Sequence, residues 1–395
     1  MEKVKYLIIG NGIAGLSAAK EIRNNDSEGS ITIISKEAYN TYYRVRLTEY
    51  LSKDFTEEQL LVNKKSWYEE KNIKVLLNKI VEKIDVDNLK VRLDDSKEIE
   101  FEKLLIATGS SPFIPPVAGK YKQGVLALRT LKDLKYIKNY FDNCKEITVI
   151  GGGLLGLEAA WALKKLDKTV NIVEFAPYLL SKQLDKELSN KLKEKLEREG
   201  FKIYLSASAE EILGENKADG ILLNNGKELK TNGILFSVGI RPNIDLIRDT
   251  PLKFVKGIIV NKNLRTNIEN IYAAGDVIEI DGKVIGLWTS ANEQGKVAGA
   301  NMSGKTMEYT EAKLFTSLLL GDIKIFSVGD IKEFDDSYEY KDESKGIHHK
   351  LFISEGKLTG GILFGDTKDM ARLKKAVTEK IDIESYLEKN YLLIK

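Results

Sequence analysis

The sequence predicts an α/β fold in which one strand–turn–helix–strand unit occurs twice, followed by a small α+β C-terminal domain. Three observations carry this. Val4–Ile9 is an apolar, strand-sized run that enters a glycine-rich turn, the helically spaced Ile13–Ile22 and the short strand Ile31–Ile34. The same order returns as Ile147–Ile150, a second glycine turn, Leu154–Leu166 and Val170–Val173, an internal duplication of a supersecondary unit. From about Lys305, strand-like runs at Ile323–Val328, His349–Ile353 and Gly360–Phe364 lead into a terminal helix.

The turns define what the two units are for. Gly10-Asn11-Gly12-Ile13-Ala14-Gly15 is a G-x-G-x-x-G sequence set between a strand and a helix. The first glycine permits the tight turn, the second lets backbone approach a pyrophosphate, and the third allows close helix–strand packing. The helix N-terminus attracts the anion. Gly151-Gly152-Gly153-Leu154-Leu155-Gly156 repeats the arrangement. Both units are therefore read as Rossmann-like dinucleotide-binding domains, with Gly10, Gly12, Ile13, Ala14 and Gly15 in one site and Gly151, Gly153, Leu154, Leu155 and Gly156 in the other.

In the second unit the next strand ends at Glu174. A carboxylate there accepts hydrogen bonds from both ribose hydroxyls and repels a 2′-phosphate, which favours NADH over NADPH. The corresponding position of the first unit is Ser35, followed by Lys36 and Glu37. Different ribose chemistry at the two sites points to two different dinucleotides.

Between the units lie a hairpin-like pair, Ile80–Asp85 and Lys90–Leu93, and a strand at Leu104–Ala107. Ser110-Ser111-Pro112 and Pro115-Pro116 read as a linker, by turn chemistry. A charged helix, Asp185–Glu199, and short strands follow, then a second crossover at Gly239-Ile240-Arg241-Pro242-Asn243 and a helix at Ser290–Met302. The expected organisation is a discontinuous first domain (1–110 and 240–305), a second domain (111–239) and a C-terminal domain (306–395).

Composition narrows the chemistry. A net charge of +2, with Lys and Glu interspersed, gives no basic surface for nucleic acid. No apolar run approaches membrane-spanning length and no signal-like core follows Met1, so a cytoplasmic protein without a membrane partner is expected. Cys144 is the only cysteine, which excludes an intramolecular disulfide and a Cys-ligated iron–sulfur cluster in this chain. His348 and His349 are the only histidines, and they read as surface strand residues rather than as metal ligands. Redox chemistry here must run on a dissociable organic cofactor.

Two further segments carry a resemblance. Leu105-Ile106-Ala107-Thr108-Gly109 ends a strand at a small-residue turn, and Ile271-Tyr272-Ala273-Ala274-Gly275-Asp276 runs a strand into Gly-Asp. Together with both glycine loops and Gly239–Asn243, their order resembles the pyridine nucleotide–disulfide oxidoreductase superfamily across about the first 305 residues. The resemblance implies tightly bound FAD in the first domain and NADH as substrate in the second. It places Ala107, Thr108, Gly109 and Asp276 with the flavin nucleotide; Ser35, whose hydroxyl can bond a ribose, and Lys36 are assigned to the same FAD site, and Gly239 to NADH.

The dithiol of disulfide reductases is missing. The corresponding region, Tyr42-Tyr43-Arg44-Val45-Arg46-Leu47-Thr48-Glu49-Tyr50-Leu51, is similar instead to the cysteine-free segment of ferredoxin-reductase-like and rubredoxin-reductase-like relatives. Arg44, Leu47 and Thr48 follow that segment. Arg46 and Glu49 depart from it, and Glu49 stands where a flavin-side lysine is expected, so no lysine role carries over. The same resemblance implies FAD contacts at Arg44, Val81 and Arg129, a carboxylate near the nicotinamide at Glu158, and a segment beneath the flavin at Trp288.

Hydride transfer between nicotinamide and flavin needs alignment and exclusion of water more than a protein acid or base. The expected activity is therefore NADH-dependent reduction of a small redox protein by a flavoenzyme, with rubredoxin the preferred acceptor and a monomer favoured. Ferredoxin reduction and NADH oxidase activity are the alternatives. An NADH-responsive regulatory flavoprotein with little turnover is the reading from another class.

Overall fold

A computed structural model describes residues 2–311 and 315–388. The chain divides into two compact units. One comprises Met1–Arg46, Asp54–Pro112 and Gly239–Ala312; the other comprises Leu47–Lys53, Phe113–Val238 and Lys313–Lys395.

The first unit is built on a seven-stranded sheet. Ile73–Leu76, Ile31–Ile34, Glu2–Ile9, Glu98–Ile106 and Ile271–Ala273 lie in that order and run parallel. Ile31–Ile34 and Ile271–Ala273 are buried at every position. That is why they read as unbroken apolar runs rather than alternating ones: a parallel strand covered on both faces has no wet side. The antiparallel strands Lys90–Leu93 and Val81–Asp85 extend the same sheet. The helix Ile13–Asn25 packs against the helix Trp288–Met302, and the crossing is close because Gly295 has no side chain. A Cβ there would collide with the Ala14 carbonyl.

The second unit holds a five-stranded parallel sheet in the order Lys202–Tyr204, Thr169–Val173, Glu146–Ile150, Gly233–Phe236, Val125–Ala127. A three-stranded antiparallel sheet, Ala209–Leu213, Gly220–Leu223 and Glu228–Lys230, accompanies it. The C-terminal part forms a five-stranded antiparallel sheet in the order Phe315–Leu320, Ile323–Gly329, Lys357–Phe364, Ile347–Ser354, Asp336–Asp342. Leu373, Ala376 and Val377 anchor the helix Met370–Glu379 in its core, and a second helix, Ile383–Glu388, follows. Two Rossmann-type sheets and an α+β C-terminal part are thus present.

Two expectations need correction. Ser110–Pro112 is not a free linker but a strand, paired antiparallel with Ile240–Pro242. Its partner lies far along the chain, so local turn chemistry gives no sign of it. His348 and His349 are not surface residues. They are 1% and 7% exposed, because their strand lies inside the C-terminal sheet.

Candidate functional site

The first glycine loop leaves the strand Glu2–Ile9 with Gly10 at φ +115°, a conformation closed to L side chains. A Cβ on Gly10 would also strike the Ala107 carbonyl, so loop and Ala107–Gly109 turn touch through bare backbone. Gly12 is the N-cap of the helix Ile13–Asn25 and supplies no side-chain cap. The opening N–H groups of a helix lack intrahelical partners, and here nothing within 4 Å would meet a Cβ on Gly12. Room and unpaired donors coincide at the positive end of a helix dipole, as a pyrophosphate requires.

Asn11 adds a donor. Its Oδ1 accepts from the Thr41 hydroxyl at 2.8 Å, and the Tyr68 hydroxyl donates to Thr41 at 3.2 Å. The Asn11 Nδ2 is buried with no protein partner. An acceptor-rich phosphate suits that orphaned amide. Gly15 completes the loop, since a Cβ there would run into the Gly10 carbonyl.

Around this cradle the first unit gathers most of the expected residues. Ser35 is buried, and its hydroxyl accepts from the Glu37 amide at 3.2 Å; Lys36 is exposed. Glu37 accepts from the Tyr42 hydroxyl at 2.6 Å and from Arg44 at 2.7 Å. Arg44 therefore already has a carboxylate partner, two residues beyond Ser35. Burial would push the Arg44 pKa down, but Tyr42, Glu37 with its hydrogen bond, and Asp276 together outweigh this and raise it. Thr108 is tied to the crossover strand: its hydroxyl donates to the Asn243 carbonyl at 3.0 Å, and the Asn243 amide returns a bond to the Thr108 carbonyl at 2.8 Å. Asp276 accepts from Ser110 at 2.9 Å. Gly275 N donates to the buried Gln294 Oε1 at 2.9 Å, which fixes the Gly-Asp turn. Val81 is buried in the same unit. Tyr43 stacks on Trp288 with ring centroids 5.7 Å apart. Arg129 is the exception, because it belongs to the second unit.

The second loop repeats the construction. Gly151 has φ +117°, Gly153 is the N-cap of Leu154–Lys164 without a side-chain cap, and nothing within 4 Å would meet a Cβ on Gly153. A Cβ on Gly156 would collide with the Gly151 carbonyl. Leu154 and Leu155 open the helix, and Leu155 is 56% exposed. Glu174 is held from two sides: the Gly152 N–H donates to Oε2 at 2.5 Å and the Ala176 N–H to Oε1 at 2.6 Å. Each carboxylate oxygen keeps a further lone pair, the two acceptors that a ribose diol needs. Gly239, grouped with NADH by resemblance, falls at φ +108° in the first unit.

Glu158 lies on the helix after the second loop and accepts from the Thr48 hydroxyl at 3.0 Å. Burial pushes its carboxyl above the usual range, the Thr48 bond partly offsets this, and the charge of Glu49 adds to the rise. Thr48 and Glu158 are each legible in the sequence, but their pairing is not, nor are the Asn11–Thr41 and Thr108–Asn243 bonds. Each joins positions whose spacing along the chain carries no period.

The histidines lie elsewhere: His349 Nε2 bonds to the Asp366 carbonyl at 2.8 Å, and His348 belongs to a charged cluster. His348 shares a hydrogen bond with Glu339, and Lys350 places its ammonium 2.7 Å from Asp185, 2.7 Å from Glu187 and 3.1 Å from Glu339. Glu187, Glu339 and His348 stand close enough to share an ion, yet Lys350 already supplies the positive charge there. Among the described residues, no helix is long and apolar enough to cross a membrane.

Residues 4–295 match the model of the pyridine nucleotide-disulphide oxidoreductase family, and residues 315–381 match the rubredoxin NAD+ reductase C-terminal domain. The chain is 35% identical over 387 residues to a nitrite reductase [NAD(P)H] of Bacillus subtilis, covering 97% of this chain and 48% of that protein. It thus spans about half the length of that relative. It is 35% identical over 381 residues to the NADH-rubredoxin oxidoreductase of Clostridium acetobutylicum, covering 95% of each. The crystal structure of NADH:rubredoxin oxidoreductase from Clostridium acetobutylicum superposes with a TM-score of 0.83 at 33% identity, over 98% of this chain and all of that one. With residues 4–295 matched, and a glycine loop built twice within them, this chain belongs to the pyridine nucleotide-disulphide oxidoreductase family.

Proposed function

We propose that the chain is an FAD-dependent oxidoreductase that takes hydride from NADH and passes electrons to a small redox protein, with rubredoxin as the acceptor. The observation that carries the reading is the pair of glycine loops. Each opens a helix with a bare glycine cap and free space above it, but only the second has a carboxylate at the strand-end position, held by two backbone N–H groups, where the first has the Ser35 hydroxyl. Two sites of like build and unlike ribose chemistry suit two dinucleotides with different roles.

In this assignment Gly10, Gly12, Ile13, Ala14 and Gly15 hold the FAD pyrophosphate on backbone N–H groups, and the orphaned Asn11 amide adds a donor. Ser35 and Glu37 face the adenosine ribose. Ala107–Gly109 and Asp276 hold the flavin-side portion, steadied by Asn243, Ser110 and Gln294. Gly151, Gly153 and Gly156 seat the NADH pyrophosphate, Glu174 accepts from its ribose, and Glu158 lies beside the nicotinamide. FAD, when bound, supplies a centre that receives electrons in a pair and releases them singly. With a single cysteine in the chain, those electrons leave without a thiol relay.

The match of residues 315–381 to a rubredoxin reductase C-terminal domain and the length shared with the clostridial relative support rubredoxin over other acceptors. The test is steady-state NADH oxidation by the purified flavoprotein against rubredoxin, ferredoxin, oxygen and disulfides. Many turnovers with rubredoxin and few with the others are expected. Faster turnover with ferredoxin or oxygen replaces the acceptor. Flavin bleaching without turnover on any of them overturns the enzymatic reading.

A further inference from the structure

Glu158 has an unusual neighbourhood for an acidic group beside a redox nucleotide. Among the described residues its hydrogen-bond partner is the hydroxyl of Thr48, and no basic side chain pairs with it. Thr48 is buried, on the segment Leu47–Lys53 that packs within the same unit against the helix carrying Glu158. The next residue, Glu49, is acidic and is paired with Lys53 at 2.8 Å. On the helix Leu131–Asp142, which packs against the turn Glu49–Leu51, Lys138 is spent on backbone carbonyls of Tyr50 and Lys53 at 3.2 and 2.7 Å. Of the strands packed on the Glu158 helix, Thr169–Val173 and Phe315–Leu320 carry no charged residue, and Glu146–Ile150 carries one, the acidic Glu146, which offers no positive charge.

The oxidised nicotinamide ring carries a positive charge and the reduced ring carries none. A carboxyl beside that ring therefore discriminates between the two oxidation states when it is ionised and ceases to do so when protonated. Because this carboxyl lacks a cationic partner, its charge is free to respond to the ring.

We propose that Thr48 is a positioning residue which, through its hydrogen bond, holds the Glu158 carboxyl so that its protonation state sets the preference of the site for NAD+ over NADH. The inference rests on the placement of Glu158 beside the nicotinamide. Its signs are fixed. Above the pKa of Glu158 the carboxylate attracts the oxidised ring, NAD+ binds more tightly and inhibits as product more strongly. Below it, that gain is lost while NADH affinity changes little. By linkage, NAD+ binding near that pKa releases a proton and NADH binding does not. A one-unit shift of the carboxyl on binding corresponds to about a tenfold change in the affinity ratio.

The experiment is calorimetric titration of the FAD-loaded protein with NAD+ and with NADH, at several pH values and in two buffers of different ionisation enthalpy. In the native protein the NAD+/NADH affinity ratio should rise about tenfold across the titration of Glu158, with proton release seen for NAD+ alone. Glu158→Gln should flatten the ratio and abolish the release. Thr48→Val removes a bond that favours the charged form, so the midpoint should move to higher pH, and Thr48→Ser should restore it. If Glu158→Gln leaves both affinities and the proton count unchanged, Glu158 is not at the nicotinamide and the site assignment fails. If Glu158→Gln flattens the profile but Thr48→Val does not move it, the assignment stands and the role of Thr48 is overturned.

Discussion

Gly12 caps its helix with no side chain, and a Cβ placed there meets nothing of the protein within 4 Å. Gly12→Val should therefore fold normally yet lose FAD, because the valine takes the space through which a pyrophosphate reaches the backbone. Extraction and absorbance of the purified variant check this, and a full flavin complement would remove FAD from the first loop. Glu174 allows an equally direct test. Its oxygens are fixed by two backbone amides, so it cannot swing away from a 2′-phosphate. NADH should be preferred by about 2–4 kcal/mol in kcat/KM terms, and Glu174→Ala should erase most of the difference. Equal kcat/KM for NADH and NADPH in the native enzyme would place Glu174 away from the ribose. Cys144 donates to the Asn232 carbonyl at 3.1 Å in a buried position, and burial pushes its thiol pKa up. Such a thiol behaves as a small apolar group. Cys144→Ser should leave stopped-flow flavin reduction and acceptor reduction unchanged; collapse of either rate in folded, flavin-loaded protein would reinstate a thiol relay.

Among elements, the helix Lys186–Arg198 and the antiparallel strands of the C-terminal part meet through Lys350, whose side chain is 13% exposed among three carboxylates. Lys350→Ala leaves those charges facing one another and should destabilise the protein by about 1–3 kcal/mol in denaturant titration. The carboxylates set the pH dependence. Hydrogen bonds from Lys350 and Lys341 hold Glu187 at about 2. Burial alone would raise Glu339, but bonds from His348, Lys341 and Lys350 outweigh it and bring it to about 2 as well. Both groups bind protons more readily unfolded. Their contribution is complete above the ordinary carboxylate pKa and drains away as pH falls towards 2, a loss that Lys350→Ala should flatten. This contact also marks where sequence reading stops. Loops such as Gly10–Gly15, strands such as Ile31–Ile34 and the end-of-strand Glu174 are legible because glycine spacing and apolar runs are local. The burial of His348 and His349, the strand at Ser110–Pro112 and the Thr48–Glu158 bond are not. Each depends on a partner that only the folded chain brings near, in the last case across 110 positions.

For the molecule as a whole, two cradles in two compact units imply two separable ligand linkages. NAD+ at a hundred times its dissociation constant should stabilise the flavin-loaded protein by about 2.7 kcal/mol, raising its Tm. Gly153→Val should keep the yellow colour and lose that shift. A Gly153→Val protein whose Tm still rises with NAD+ would move the nucleotide to another site. The lone buried thiol has a consequence of its own. Arsenicals disable dithiol enzymes by bridging paired sulfurs, organomercurials by capping exposed thiolates, and peroxides by oxidising them. This chain has no pair to bridge, and its one sulfur is packed against the Asn232 carbonyl. The proposed electron route should accordingly keep running in cells poisoned with such agents, limited by the survival of the acceptor rather than of the reductase.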